Sequence, residues 1–224
     1  IRFQIQIQEK RKRFRSTIKA LDCAGDDRLV KPFIESLGFT LTGAQQRAWE
    51  DVARDMAGSF PMRRLLQGDV GSGKTAVAAC AALRAIESGF SAVVLAPTEI
   101  LAEQHYRVFG NWFSPLGITV HLHTGSKKTL CGIDPAQREL GMGDEALPPV
   151  VVGTHALVEE GFALENIGLA IIDEQHKFGV EQRKKLVKKG RYPHVLVMTA
   201  TPIPRTLGLT VYGDLDCSVI DELP

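Results

Sequence analysis

Gly68-Asp69-Val70-Gly71-Ser72-Gly73-Lys74-Thr75 is the stretch that decides the fold, because the pattern GxxxxGK[ST] sits between a strand-like run at 64–67, centred on Leu65-Leu66, and an Ala-rich stretch at 75–87. A glycine-rich turn at that point lets the N–H groups of Gly71, Ser72, Gly73, Lys74 and Thr75 wrap an anion, and the following helix N-terminus adds its partial positive charge. Lys74 is then placed to reach the β and γ phosphates of a nucleotide, and Thr75 to offer a hydroxyl to Mg2+. The competing reading is an ordinary glycine turn, against which the flanking strand and helix both weigh.

Outward from this loop, short apolar runs alternate with longer stretches of helical period, the βαβ pattern of an α/β protein with a mostly parallel sheet and helices on both faces. The runs predict strands at 64–67, 92–96, 119–122, 150–152, 169–172 and 194–198, and helices at 75–87, 100–112, 180–189 and 204–212. Residues 127–149 are rich in Gly, Pro and Asp with weak periodicity, and read as a loop with a helical turn or two.

A second chemical signal follows the run Leu169-Ala170-Ile171-Ile172, where Asp173-Glu174-Gln175-His176 puts two acids at the carboxyl end of a buried strand. Open α/β sheets bind their ligands at that edge. Asp173 can take Mg2+ through a coordinated water, while Glu174 can orient and deprotonate an attacking water. Adjacent acids are also common in plain surface loops, and it is the pairing with the phosphate loop that favours chemistry.

Composition bounds the rest. The 224 residues, 44% hydrophobic and 24% charged, suit one core-bearing domain, read as 37–224, preceded by a short basic appendage at 1–36. No apolar run approaches the roughly twenty residues of a membrane span. Cys23, Cys80, Cys131 and Cys217 are widely spaced with no CxxC pair, as expected of reduced thiols in a cytoplasmic protein. His121 and His123 share one side of a strand, but no further metal ligands converge on them in sequence. Net charge is +1; residues 1–19 hold seven Lys or Arg against one Glu, a local +6, which leaves −5 for the remainder. The basic run at 10–15 reads either as a solvated linker or as a segment lying against DNA phosphates. The first residue is not Met and no signal peptide follows, which reads as a stretch of a longer chain.

The pairing of GSGKT with DEQH resembles the superfamily 2 helicases, and further motifs follow in that family's order across 39–224. The resemblance implies a RecA-like P-loop NTPase domain that uses ATP and Mg2+ and acts on DNA. It implies that Gln45, in Phe39-Thr40-Leu41-Thr42-Gly43-Ala44-Gln45, reads the adenine edge, a task suited to an amide that both donates and accepts; Phe39 packs near the base or in the core. It implies that Pro97 and Thr98, Thr124 and Gly125, and Gly153 and Thr154 line a track for one DNA strand by contacting its sugar-phosphate chain. For Thr98 a helix cap is the alternative. His176, Thr199 and Thr201 would couple the γ-phosphate site to the DNA side; a satisfied histidine and ordinary strand or cap threonines are the alternatives. GDVGSGKT, APTEILAEQH, IDEQHKFGVEQR, MTATPIPRTL and LTVYGDLDCSVIDELP together look most like the branch of the superfamily that remodels stalled forks and Holliday junctions. Alternatives are a double-stranded-DNA translocase of the transcription-repair kind and a nucleotide-gated DNA-binding module without turnover. A nucleotide kinase would leave DEQH without a role. The resemblance further implies a monomer whose second RecA-like domain, with its arginine finger, and whose wedge domain lie outside this stretch, so that the stretch alone turns over slowly.

Overall fold

Runs that are apolar without alternation need a sheet buried on both faces, and β2 (Ser91–Leu95) and β4 (Val150–Gly153) are buried at every position. The computed structural model describes residues 18–129, 147–158, 164, 166–173, 192–201 and 215–222. With β1 (Arg63–Gly68), β3 (Val120–His123), β5 (Ile167–Asp173), β6 (His194–Thr199) and β7 (Asp216–Ile220), these strands form one seven-stranded sheet in the order β3-β4-β2-β5-β6-β1-β7. Every pairing is parallel. The α/β class and its mostly parallel sheet are therefore as the sequence implies. All six anticipated strands are present, with every end within two residues of the expected one, and β7 is an addition.

Alternate strand residues sort to opposite faces, as the pleat requires. Leu66, Val94, Val152, Ile171 and Met198 join one core with the helices α1 (Val30–Ser36), α2 (Gly43–Met56), α3 (Lys74–Glu87) and α4 (Glu99–Phe113). Leu65, Val93, Val151, Ile172 and Val197 face the other way and pack with Leu157 and Ile167. The helices anticipated at 180–189 and 204–212 lie outside the described residues, as does most of the 127–149 loop and the basic run at 10–15.

Helix α2, which periodicity did not single out, begins at a capping box. Thr42 Oγ1 accepts the Gln45 N–H and Gln45 Oε1 accepts the Thr42 N–H, so two otherwise orphaned donors are satisfied reciprocally. Upstream of it, Cys23, Val30 and Phe33 are buried in the same core as α3. Arg84 on α3 donates to the Cys23 carbonyl at 3.1 Å and pairs with Asp27 at 2.8 Å, while the Glu87 carboxylate accepts the Asp27 and Leu29 N–H groups. Burial pushes the Cys23 and Cys80 thiols up to about 12, so both pack as small apolar groups. Among the described residues no helix is long and apolar enough to cross a membrane.

Candidate nucleotide and nucleic-acid site

Because all strands run the same way, every strand end that carries a candidate residue opens at one edge of the sheet. The loop 69–73 follows β1, Pro97 and Thr98 follow β2, Thr124 and Gly125 follow β3, Thr154 follows β4, Asp173 ends β5 and Thr199 ends β6. Register brings two of them close: Asp173 stands level with Met198, and Met198 level with Leu66, two residues before Gly68. Two strand spacings put Asp173 on the order of 10 Å from the strand that launches the phosphate loop.

The loop has the backbone its glycines were chosen for. Gly71 and Gly73 adopt φ of 83° and 84°, in the left-handed region closed to most side chains. At Gly73 a Cβ would also collide with the Gln45 amide, whereas around Gly71 there is open space. Gln45 is fully buried, and its Nε2 donates to the Ser72 carbonyl at 2.8 Å. The amide that the family resemblance assigns to adenine thus bridges the cap of α2 and the phosphate loop. Lys74 Nζ donates to the carbonyls of Gly68 at 2.6 Å and Asp69 at 2.7 Å. Ser72 Oγ is buried without a partner. A left-handed open turn at a helix N-terminus, an ammonium resting on loop carbonyls and an unsatisfied hydroxyl are a donor set that fits a triphosphate. Thr75, in the first turn of α3, carries a hydroxyl and Asp173, at the end of β5, a carboxylate, oxygen donors of the kind that suit Mg2+.

Asp173 is not free. Its Oδ2 lies 2.7 Å from Nε2 of His105, with the two side chains 16% and 11% exposed. Sequence reading missed His105, although a signal exists: it falls on the α4 stripe whose Ala102, Phe109 and Phe113 are buried, a polar residue on the inward face. Glu174, Gln175 and His176 lie outside the described residues.

On the side expected to meet DNA, Thr98 is an N-cap, its Oγ1 accepting the Leu101 N–H at 3.3 Å, and it remains exposed. Thr124 is buried, and its hydroxyl closes a turn with Lys127, accepting the Lys127 N–H at 3.0 Å. Thr154 is buried with its hydroxyl unpartnered, and a Cβ at Gly153 would strike the His123 carbonyl. Pro97 is half-buried and Gly125 is exposed, so of the six residues expected along the strand track Thr98 and Gly125 are the exposed ones, with Ser126 exposed beside them. The turn is gripped from α4: Glu99 accepts the Ser126 hydroxyl at 2.6 Å and its N–H at 3.0 Å, and Glu103 pairs with Lys127 at 2.7 Å. The Ser126 hydroxyl and amide hold the Glu99 carboxyl below the ordinary carboxylate range. Thr199 is buried and Thr201 exposed, and the Thr201 N–H donates to Thr199 Oγ1 at 3.2 Å. Phe39 is 46% exposed.

The chain belongs to the DEAD/DEAH box helicase family, whose profile matches residues 42–209. Within that family the similarity is to the ATP-dependent DNA helicase RecG: the Synechocystis protein is 52% identical over 88% of this chain and the Aquifex aeolicus protein 47% identical over 99% of it. The chain spans only 23% and 28% of those two relatives. The structure of RecG bound to a three-way DNA junction superposes with a TM-score of 0.77 at 42% identity, covering 99% of this chain and 29% of that one. A DEAD box protein from Methanococcus jannaschii, at 21% identity and a TM-score of 0.59 over 88% of this chain and 53% of that one, shares the fold.

Proposed function

We propose that this chain is the ATP-binding motor domain of a DNA helicase or translocase that couples ATP hydrolysis to remodelling of branched DNA, such as stalled forks and Holliday junctions. The observation that carries this reading is the gathering of the phosphate loop, Asp173 and the turns at Thr98 and Gly125 on one edge of one parallel sheet. The RecG structure solved on a three-way DNA junction supports the branched substrate.

In this reading the backbone amides of Gly71, Ser72, Gly73, Lys74 and Thr75 bind the triphosphate, and Lys74 exchanges the Gly68 and Asp69 carbonyls for β and γ phosphate oxygens. Gln45 keeps the Ser72 carbonyl in place from its buried position, and its amide is the group assigned to the adenine edge. Thr75 and Asp173 would hold Mg2+, which when bound neutralises charge on the phosphates. Glu174 orients and deprotonates the attacking water. Thr199 and Thr201, joined by a hydrogen bond, and His176 carry the change at the γ phosphate towards the DNA side. Pro97, Thr98 and Gly125 meet the strand, with Thr124, Gly153 and Thr154 shaping the edge from beneath. Such contacts address the sugar-phosphate chain and suit movement along any sequence.

The test is a pair of substitutions in the full-length protein. Lys74→Ala weakens nucleotide binding and Glu174→Gln binds nucleotide normally, and each lowers ATP turnover and fork unwinding by roughly 10² to 10³. Unwinding at the wild-type rate by either variant overturns the assignment.

A further inference from the structure

One oxygen of Asp173 is engaged before any ligand arrives. His105 Nε2 and Asp173 Oδ2 are 2.7 Å apart although 68 residues separate them in sequence, and both side chains are largely shielded from water. A carboxylate accepts, so Nε2 carries the hydrogen. The ring is steadied by Phe109 one turn along α4, with centroids 6.3 Å apart. His105 rides on the helix that follows β2, and β2 lies beside β5, the strand that ends in Asp173.

We propose that His105 is a positioning residue for magnesium: by holding Oδ2 it fixes the plane of the Asp173 carboxylate and leaves Oδ1 as the oxygen that serves the ion. The inference rests on the assignment of Asp173 to Mg2+ above. A carboxylate anchored at one oxygen has less rotational freedom to lose when the ion binds, and outer partners of this kind are worth about 10 to 100-fold in metal affinity. The anchor also ties the ion's ligand to the DNA-side turn, since Glu99 on the same helix holds Ser126.

The experiment uses the full-length protein, with a fluorescent ADP titrated at stepped Mg2+ concentrations and again in EDTA. His105→Ala is expected to raise the Mg2+ needed for half-maximal binding by about 10 to 100-fold while leaving affinity in EDTA unchanged. His105→Gln, whose amide N–H reaches nearly as far as the imidazole Nε2, restores most of the loss. Wild-type Mg2+ dependence in His105→Ala overturns the proposal; so does an equal loss of affinity with and without Mg2+, which marks a packing role, and so does His105→Gln behaving no better than His105→Ala. Asp173→Asn separates the two layers. If that variant also keeps the wild-type Mg2+ dependence, the underlying site assignment fails; if it shifts while His105→Ala does not, only the positioning role fails.

Discussion

The two edges of the sheet are built on opposite rules. Towards the N-terminal ends of the strands, buried polar groups close on one another. Arg64 donates to Asp55 at 2.9 Å and to the Ser218 hydroxyl at 2.7 Å, and that hydroxyl donates to Asp51 at 2.8 Å, a ring joining α2, β1 and β7. His194 accepts the Met62 N–H through Nδ1 and donates through Nε2 to the Leu21 carbonyl, both at 2.9 Å. At the C-terminal edge the buried hydroxyls of Ser72 and Thr154 have no partner, two glycines hold left-handed turns, and single side chains, Gln45 and Glu99, secure whole loops. A buried polar group without a partner costs about 1–3 kcal/mol. Under the proposed function that cost sits where an incoming ligand would remove it, and the opposite edge is closed tightly enough to tolerate it.

The largest effect expected from breaking this arrangement is at Arg64. Arg64→Ala removes a guanidinium only 9% exposed and leaves the carboxylates of Asp51 and Asp55 without it. A fully buried pair broken in this way loses 3–5 kcal/mol; because these carboxylates are 34% and 24% exposed and regain water, about 2–3 kcal/mol is the expected loss. Urea unfolding measures it. The folded variant should bind nucleotide about as well as wild type, and a collapse of nucleotide affinity alongside stability would show that the two edges are not separable.

A smaller effect comes from acid. Burial lowers the pKa of His194, outweighing the Leu21 carbonyl and Asp55, which act in the other direction. Its Nδ1 must stay unprotonated to accept the Met62 N–H. As pH falls below the unfolded value of about 6.5, the unfolded chain takes up a proton that the folded chain refuses, so stability present above that pH is progressively lost on acidification. Thermal melts between about pH 7.5 and about pH 5.5 should therefore show a steeper acid decline in wild type than in His194→Gln, with His121, which burial shifts in the same direction, contributing to what remains. Equal declines would remove His194 from the account of the closed edge.

The same contrast explains what could be read without coordinates. A loop made from backbone must use glycine at fixed offsets, so Gly71, Gly73 and Lys74 announce themselves, and strands buried on both faces are largely apolar, so β2, β4, β5 and β6 are legible. The strand β7 is not, because only Ser218 and Ile220 of its five residues are buried and no apolar run marks it. The bond between His105 and Asp173 depends on α4 following β2, the strand that pairs with β5, and no local pattern states that. Gln45 shows the boundary within one residue: its capping box is visible as Thr42-Gly43-Ala44-Gln45, whereas its hold on Ser72 spans 27 residues. Thr124 and Thr154, which the family resemblance sets along the strand track, are buried, since the small side chain that suits a phosphate contact also suits a tight turn.

The smallest effect, and the one that most sharpens the contrast, is at Glu99. If the open edge is held turn by turn through individual side chains, removing one should free one turn and leave the core alone. Glu99→Ala deletes the acceptor of both the Ser126 hydroxyl and the Ser126 N–H, while Thr124 still closes on Lys127 and Glu103 still pairs with it. Amide exchange at Ser126 should then accelerate by about tenfold, as local opening permits, with exchange in β2 and α3 and the melting temperature unchanged. Unchanged exchange at Ser126 would mean that the Thr124–Lys127 closure suffices and that Glu99 is a bystander. A loss of global stability like that of Arg64→Ala would mean that the DNA-side turn is part of the closed framework, and the division between the edges would fall.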